Sequence, residues 1–121
     1  MKKSIYIVED NKDIGYILQY FLSDEGFDVY LFETVSEFYD ALSTKVPDLF
    51  MVDVMLPDGD GLVVCENIKN IPECMKKPVI MMSANFPAEL IRQASCADDF
   101  IPKPFDLFQI LKRVNDFLEV A

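Results

Sequence analysis

The 121-residue sequence predicts an α/β fold with a five-stranded parallel sheet between two layers of helices. Three observations lead to this prediction. Short apolar runs alternate five times with stretches in which apolar residues recur at helical spacing. The runs lack polar alternation, which indicates strands that are buried on both faces, as parallel strands are. No repeat, low-complexity stretch or linker interrupts the pattern, so we expect one three-layer, doubly wound domain over residues 1–121.

The individual elements follow in chain order from the alternation of the two patterns. Apolar runs predict strands at residues 5–8, 27–32, 49–52, 78–82 and 100–101. Apolar residues at helical spacing predict helices around residues 14–22, 35–42, 62–68, 90–94 and 107–118. Gly26 marks the end of the first helix, and Pro72 closes the third. Pro87 suits the first turn of the fourth helix.

Composition and charge argue against several classes of function. A formal net charge of −10 opposes binding of this domain to the phosphates of nucleic acids. No apolar run approaches the roughly 18 residues that span a bilayer, so we expect no membrane association. The absence of histidine argues against zinc sites and against Ser/His or Cys/His chemistry. Cys65, Cys74 and Cys96 lack metal-type spacing and are typical of reduced thiols, so a cytoplasmic protein is expected.

Polar residues follow the predicted strands at the edge where doubly wound sheets bind their ligands. Glu9 and Asp10 follow the first strand, and Asp53 follows the third. Ser83 follows the fourth strand, and Lys103 follows the fifth. Because the carboxyl ends of parallel strands meet at one edge, we expect three carboxylates, a hydroxyl and an ammonium to converge there.

These residue types together suit magnesium-dependent phosphoryl chemistry. Clustered carboxylates repel each other unless a cation lies among them, and Mg²⁺ prefers such oxygen ligands. A carboxylate can also attack phosphorus to form an aspartyl phosphate. Asp53 ends a buried central run and is the best candidate nucleophile, whereas Glu9 and Asp10 are placed to hold a metal. Lys103 and Ser83 would contact the phosphoryl oxygens.

Four segments of the sequence resemble the receiver domains of two-component response regulators, the group that includes the single-domain chemotaxis regulator. The resemblance covers essentially the whole chain, and the order and separation of its motifs are specific. It implies a flavodoxin-like (βα)₅ receiver fold with strand order 2-1-3-4-5. The matching segments are residues 7–11 (IVEDN), 53–61 (DVMLPDGDG), 82–84 (MSA) and 97–105 (ADDFIPKPF).

The resemblance implies a role for each residue that matches the motifs. Mg²⁺ is the implied cofactor, with Mn²⁺ as an expected substitute. A cis peptide between Lys103 and Pro104 is common in the family. The implied roles are phosphoacceptor for Asp53, metal binding for Glu9, Asp10, Asp53 and the backbone carbonyl of Met55, switch hydroxyl for Ser83, phosphoryl pairing for Lys103 and aromatic switch for Phe100.

The same resemblance implies partners and a manner of working. The phosphodonor would be a sensor histidine kinase or a phosphotransfer protein. The domain would act as a signalling switch rather than an ordinary enzyme, although it would catalyse its own phosphorylation and dephosphorylation. If a DNA-binding output domain follows it, the controlled process would be transcription. A homodimer through the fourth and fifth helices is a further hypothesis, motivated by Arg92, Asp98, Asp99, Lys112 and Arg113.

The sequence also departs from the family and leaves an alternative open. The fourth helix looks about two residues short, and Cys96 replaces the usual glycine before Ala97. A degenerate receiver that only docks partners therefore remains the alternative. A phosphohydrolase would need an acid where Met55 stands, and a flavin carrier would need a phosphate loop where the sequence is acidic. Phe108 lies off the main apolar stripe, and its exposure would fit a dimer or output interface.

Overall fold

A computed structural model of the chain describes residues 2–84 and 97–118. Its main sheet contains five parallel strands in the order β2-β1-β3-β6-β7, with a two-stranded hairpin, β4–β5, beside it. Counted within the main sheet, this is the predicted order 2-1-3-4-5, so the fold-class prediction is confirmed. The strands are β1 (Ser4–Val8), β2 (Asp28–Phe32), β3 (Leu49–Asp53), β4 (Met55–Leu56), β5 (Gly59–Asp60), β6 (Val79–Ser83) and β7 (Asp99–Pro102).

Four helices lie within the described residues, and each follows a strand of the sheet or the hairpin. They are α1 (Lys12–Asp24), α2 (Val35–Leu42), α3 (Gly61–Asn70) and α4 (Leu107–Leu118). Here α4 is the fifth helix of the sequence prediction. The predicted fourth helix, Pro87 and the Cys96 substitution lie outside the described residues. None of the described helices has the length and apolar character needed to cross a membrane.

Side chains of the sheet alternate between two apolar cores, which makes the domain three-layered. Ile5 and Ile7 of β1 pack on the side of α1 and α4, together with Leu18 and Ile110. The intervening residues of β1 point to the other side, where Tyr6 and Val8 pack with α2 and α3. Strands that are apolar on both faces, as predicted, therefore have a helical layer to bury each face.

The β4–β5 hairpin holds the start of α3 against the end of β3. The Gly61 amide donates to the Val54 carbonyl oxygen at 2.8 Å. A Cβ atom at Gly61 would lie 2.0 Å from the Asp53 carbonyl oxygen, so a side chain there would require the backbone to move. Glycine at this position thus permits α3 to begin directly against Asp53.

Asp58, in the turn between β4 and β5, also caps the start of α2. The Asp58 carboxylate accepts hydrogen bonds from the Val35 amide at 2.8 Å and the Ser36 amide at 3.1 Å. These bonds satisfy amides that have no partner within the helix. The bond from Val35 is the main reason that the pKa of Asp58 is lowered, since it favours the charged carboxylate.

Candidate functional site

A polar cleft of about 260 Å³ opens at the carboxyl edge of the sheet. The polar side chains of the cleft come from the ends of strands or from the residues directly after them. Glu9 and Asp10 follow β1, Asp53 ends β3, Ser83 ends β6 and Lys103 follows β7. The residues that line the cleft are Glu9, Asp10, Asn11, Asp53, Met55, Ser83, Ala84 and Lys103. The structure therefore brings together the five side chains that the sequence placed at this edge.

Lys103 joins the two most buried carboxylates of the cleft. Its Nζ atom donates to Asp53 Oδ2 at 2.9 Å. It also lies 2.5 Å from Glu9 Oε1. That second contact is a close ion pair, and apart from it Glu9 Oε1 has no hydrogen-bond partner among the described residues. The backbone of Lys103 is anchored as well, because its amide donates to the Ser83 carbonyl oxygen at 2.9 Å.

Burial and close charges shift the pKa values of two groups in the cleft. The Glu9 side chain is fully buried, and this desolvation, together with the Asp53 carboxylate, raises the pKa of Glu9 to about 7 although Lys103 opposes the shift. Desolvation alone would lower the pKa of Lys103, but the two carboxylates outweigh it and the net shift is upward. The lysine is therefore held in its charged form.

Glu9, Asp10 and Asp53 form a group that fits a hard divalent cation. Each offers a carboxylate oxygen, and these oxygens all lie within 4.8 Å of one another. Magnesium favours this type of ligand. Apart from its ion pair with Lys103, the buried Glu9 Oε1 has no partner among the described residues, so it can accept from a cation or its water. The donor set therefore fits the Mg²⁺ that the sequence implied.

The remaining residues with implied roles differ in their surroundings. Met55 is exposed at the rim of the cleft, and its amide lies 3.4 Å from Asp53 Oδ1. Ser83 is buried and lines the cleft. Phe100 is fully buried in the core on the α2–α3 side. The Lys103–Pro104 peptide is cis, as the resemblance implied. The metal role of Met55 and the switch roles of Ser83 and Phe100 remain predictions.

Asn11 contributes to the site and was not singled out from the sequence. Its side chain accepts the Ile14 amide at 3.1 Å and caps α1, while its own amide lies 3.3 Å from Glu9 Oε2. Asn11 therefore fixes both the start of α1 and one oxygen of the acidic cluster. An asparagine directly before a helical apolar stripe is a recognisable cap signal.

Several residues on which the dimer hypothesis was based pair within the chain. Arg113 of α4 contacts Asp99 Oδ2 at 2.5 Å. Asp98 accepts from Lys69 at 2.7 Å and from the Val79 amide at 2.8 Å. These contacts join α4 and α3 to the first residues of β6 and β7. Arg92, the other arginine of that hypothesis, lies outside the described residues.

Comparison with known proteins identifies related chains. A family model described as the response regulator receiver domain matches residues 5–115. The chain is 34% identical over 123 residues to the phosphate regulon transcriptional regulatory protein PhoB of Rhizobium meliloti (strain 1021). That match covers 100% of this chain and 54% of the relative, so the chain spans about half the length of that protein.

Two crystal structures extend the comparison to three dimensions. One is the signal receiver domain of a signal transduction histidine kinase from Syntrophus aciditrophicus, with 31% identity and a TM-score of 0.88. It covers 97% of this chain and 90% of the other. The second is a two-component response regulator from Clostridium difficile, with 27% identity, a TM-score of 0.88 and coverage of 98% and 97%. Both share the sheet and helix arrangement described above.

Proposed function

This chain belongs to the family of response regulator receiver domains, and on that premise we propose that it accepts a phosphoryl group on Asp53 in a Mg²⁺-dependent reaction and changes conformation in response. The observation that carries the proposal is the position of Asp53. Its carboxylate ends the central strand β3, lies among the acidic group of Glu9 and Asp10, and is paired with Lys103 at 2.9 Å.

The transfer involves few protein groups, and it forms one bond to phosphorus while breaking another. A carboxylate oxygen of Asp53 attacks the phosphorus of a phosphohistidine, an oxygen–phosphorus bond forms and the nitrogen–phosphorus bond breaks. The electron pair of the broken bond stays on the imidazole nitrogen, which takes a proton. Asp53 is held for this attack by β3 and by its contact with Lys103. Positioning of this kind supplies most of what phosphoryl transfer needs.

Lys103 and Ser83 stabilise the transferred group. The Lys103 ammonium already lies against Asp53 Oδ2, so it is placed to pair with a phosphoryl oxygen after transfer. The Ser83 hydroxyl lines the same cleft and can donate to another oxygen. A movement of Ser83 towards the phosphoryl group, with rearrangement around Phe100, is the conformational response that we propose.

Glu9, Asp10 and Asp53 would hold the magnesium ion, and the Met55 carbonyl would complete its protein ligands. When bound, the ion neutralises charge on the phosphoryl oxygens and on the acidic group. The residues of the chain then keep Asp53 aligned. Mn²⁺ should substitute because its preference for oxygen ligands is similar.

Receiver domains of two-component systems receive signals from histidine kinases or phosphotransfer proteins, and we propose such a protein as the phosphodonor. The process that the domain controls is a separate proposal, because the chain spans only about half the length of the PhoB relative. The printed name of that relative supports transcription control as the proposed output. The structural relative from Syntrophus aciditrophicus is part of a kinase, which supports a phosphorelay as the other setting.

The proposal is tested by intact-mass spectrometry after incubation with a small phosphodonor such as acetyl phosphate. We expect the wild-type chain to gain one phosphoryl group in the presence of Mg²⁺ and to gain none after chelation. Asp53→Asn should gain none under either condition, because the amide is a poor nucleophile. A control variant, Asp48→Asn, alters a carboxylate at the opposite end of the sheet and should be phosphorylated normally.

Phosphorylation that persists in Asp53→Asn would show that another residue is the acceptor. No phosphorylation of the wild type with any donor, despite Mg²⁺ binding, would favour the alternative of a docking module. In that case the intact acidic group would serve a metal without phosphoryl transfer.

A further inference from the structure

Large apolar side chains are exposed at several places on the described surface. Phe108 is 75% exposed, as expected from its position off the apolar stripe of the last helix. Two others are methionines, Met55 with an exposed fraction of 57% and Met75 with 53%. The remaining methionines of the described ranges are fully buried, namely Met51, Met81 and Met82. Within those ranges, therefore, Met55 and Met75 carry the thioethers that an oxidant in the solvent can reach.

The two exposed methionines lie at opposite edges of the sheet. Met55 begins β4 two residues after Asp53, so it is at the carboxyl edge beside the candidate site. Met75 lies in the turn segment between α3 and β6, at the amino edge, where its amide donates to the Ile71 carbonyl oxygen at 2.9 Å. A chemical change at Met75 is thus remote from the cleft, and the two residues form a matched pair for experiments.

Met55 borders two spaces of different character. It lines the polar cleft that holds the three carboxylates, and it also lines an apolar pocket of about 460 Å³ beside the β4–β5 hairpin. Its backbone is held near the acidic group, because its amide lies 3.4 Å from Asp53 Oδ1. The side chain has three rotatable bonds and can turn towards either space. As a thioether it suits the apolar pocket, since its sulfur is a weak hydrogen-bond acceptor and a poor ligand for Mg²⁺.

We propose that Met55 is a site of oxidation by hydrogen peroxide, and that its sulfoxide tightens the binding of Mg²⁺ in the cleft. The second part rests on the proposed function, which assigns Mg²⁺ to the acidic group. In the oxidation, a lone pair of the sulfur attacks one peroxide oxygen, so that a sulfur–oxygen bond forms and the oxygen–oxygen bond breaks. The departing hydroxide takes the proton of the transferred hydroxyl and leaves as water. The sulfur is oxidised to the sulfoxide and the peroxide is reduced.

The sulfoxide differs from the thioether in ways that matter beside three carboxylates. It is polar, so the Met55 side chain no longer favours the apolar pocket over the cleft. Its oxygen is a strong acceptor, and Mg²⁺ usually keeps several waters whose hydrogens need acceptors. The group is neutral, so it adds no charge repulsion to Glu9, Asp10 and Asp53. One added hydrogen bond of ordinary net strength should tighten Mg²⁺ binding by about threefold to tenfold.

This modification gives the domain a second input besides its phosphodonor. A chain with oxidised Met55 fills its metal site at a lower concentration of Mg²⁺, and phosphorylation of Asp53 depends on that occupancy under the proposed function. A methionine sulfoxide reductase with a thiol reductant removes the added oxygen, so the effect is reversible. Oxidation of Met75 has no such consequence, because this residue lies at the other edge of the sheet.

Peptide mapping by mass spectrometry after treatment with hydrogen peroxide tests the first part of the proposal. Every sample carries Cys96→Ser, because Cys96 lies outside the described residues and oxidation of its thiol must not contribute. Cys65 and Cys74 are buried and can remain. We expect one added oxygen at Met55 and one at Met75, with much slower reaction at the three buried methionines.

Isothermal titration calorimetry with Mg²⁺ tests the second part and does not require phosphorylation. The dissociation constant is measured before and after peroxide for the parent chain, Met55→Leu and Met75→Leu, and each chain is compared with itself. Peroxide should lower the constant about threefold to tenfold in the parent chain and in Met75→Leu. It should leave the constant unchanged in Met55→Leu, which has no thioether at the cleft. Treatment of the oxidised parent chain with methionine sulfoxide reductase and dithiothreitol should restore the first value.

Three results would overturn the proposal. The first is a lack of oxidation at Met55 under conditions that oxidise Met75. The second is an affinity for Mg²⁺ that is unchanged or weaker once Met55 is oxidised. The third is an equal response to peroxide in Met55→Leu and the parent chain, which would place the effect at another residue. A failure of the untreated chain to bind Mg²⁺ is a different outcome, because it would contradict the proposed function itself and the second part of this proposal with it.

Discussion

At the scale of single residues, Lys103 provides the positive charge for the two most buried carboxylates. Its ammonium contacts both Glu9 and Asp53, and the Glu9 side chain is fully buried. Burying an ionised group without a partner is costly, so the pair of contacts explains how both acids can lie at the carboxyl edge. The raised pKa of Glu9 shows that this compensation is incomplete.

Replacement of Lys103 by alanine should leave the fold intact and separate phosphorylation from its conformational effect. The free energy of unfolding should fall by about 1–3 kcal/mol, because two buried acids lose their countercharge and Glu9 can take up a proton instead. Phosphorylated Lys103→Ala should show amide chemical-shift changes confined to the neighbourhood of Asp53, whereas the wild type should show wider changes.

The matched control is Lys77→Ala, which removes a lysine 3.8 Å from Asp48 at a more exposed ion pair. This variant should change the free energy of unfolding by no more than a few tenths of a kcal/mol. It should not change the conformational response to phosphorylation. Chemical-shift changes in Lys103→Ala as extensive as those of the wild type would contradict the role given to this lysine.

Gly61 is the residue whose small size matters most for the position of Asp53. Gly61→Ala places a Cβ atom 2.0 Å from the Asp53 carbonyl oxygen, and a backbone atom cannot turn aside as a side chain can. The expected loss of stability is about 1–3 kcal/mol by urea denaturation, with slower phosphorylation from acetyl phosphate.

Gly15→Ala is the comparison for this change, because its Cβ atom would meet only the Leu31 side chain at 2.9 Å. Leu31 can adjust, and alanine favours the helix, so the loss should be smaller. Equal stability and equal phosphorylation of Gly61→Ala and the wild type would show that α3 can shift without moving Asp53.

At the scale of elements, the β4–β5 hairpin links the end of β3 to α2. Asp58→Ala should destabilise the chain at neutral pH, because the Val35 and Ser36 amides lose their acceptor. The lowered pKa of Asp58 fixes the pH dependence. The contribution of the Asp58 carboxylate to stability is fully present above pH 3.8, which is the ordinary pKa of this group. It is lost as the pH falls from there through the lower pKa of the folded state.

Unfolding experiments at a series of pH values can follow this difference. The difference in the free energy of unfolding between the wild type and Asp58→Ala should be largest at neutral pH and should disappear in acid. Asp40→Ala, which changes an exposed carboxylate on α2 itself, should show no such closing gap. A gap that is constant with pH would mean that Asp58 acts through packing rather than through its charge.

The elements that could be predicted from sequence are those with a clear pattern of apolar residues. All five strands of the main sheet were predicted to within two residues, because a short continuous apolar run is typical of a strand that is buried on both faces. The β4–β5 hairpin was missed, since strands of two residues carry no periodic signal. The cap that Asp58 gives to α2 was also missed, because the Val35 and Ser36 donors are 23 and 22 residues away from it and only the tertiary fold brings them together.

The candidate site was predictable for a related reason. Parallel strands bring their carboxyl ends to one edge, so Glu9, Asp53 and Lys103 could be placed together without knowing any distance. The sequence could not show that Lys103 would contact both acids, or that Arg113 would be engaged by Asp99 within the chain. Those pairings depend on side-chain geometry that no spacing encodes.

At the scale of the whole molecule, the acidic charge should make stability depend on divalent cations. With Mg²⁺ at ten times its dissociation constant, binding to the native state should add about 1.4 kcal/mol, a rise in Tm of roughly 5 °C for a domain of this size. The reason is that the ion relieves repulsion among Glu9, Asp10 and Asp53. Circular dichroism at matched ionic strength measures the shift.

Asp10→Asn should lose most of this increase, while Asp116→Asn, an exposed change on α4, should retain it. An equal rise in Tm for both variants would indicate general screening of the net charge of −10 rather than binding at the cleft.

The contact of Lys103 with Glu9 and Asp53 also has a consequence for synthesis of the chain on the ribosome. The two acids emerge with β1 and β3, whereas the lysine follows β7 and emerges much later. A nascent chain that has been translated only through Ser83 therefore lacks the lysine that neutralises its buried acids. The native state should therefore reach its full stability, and its full protection from proteases, only when β7 and Lys103 have left the exit tunnel.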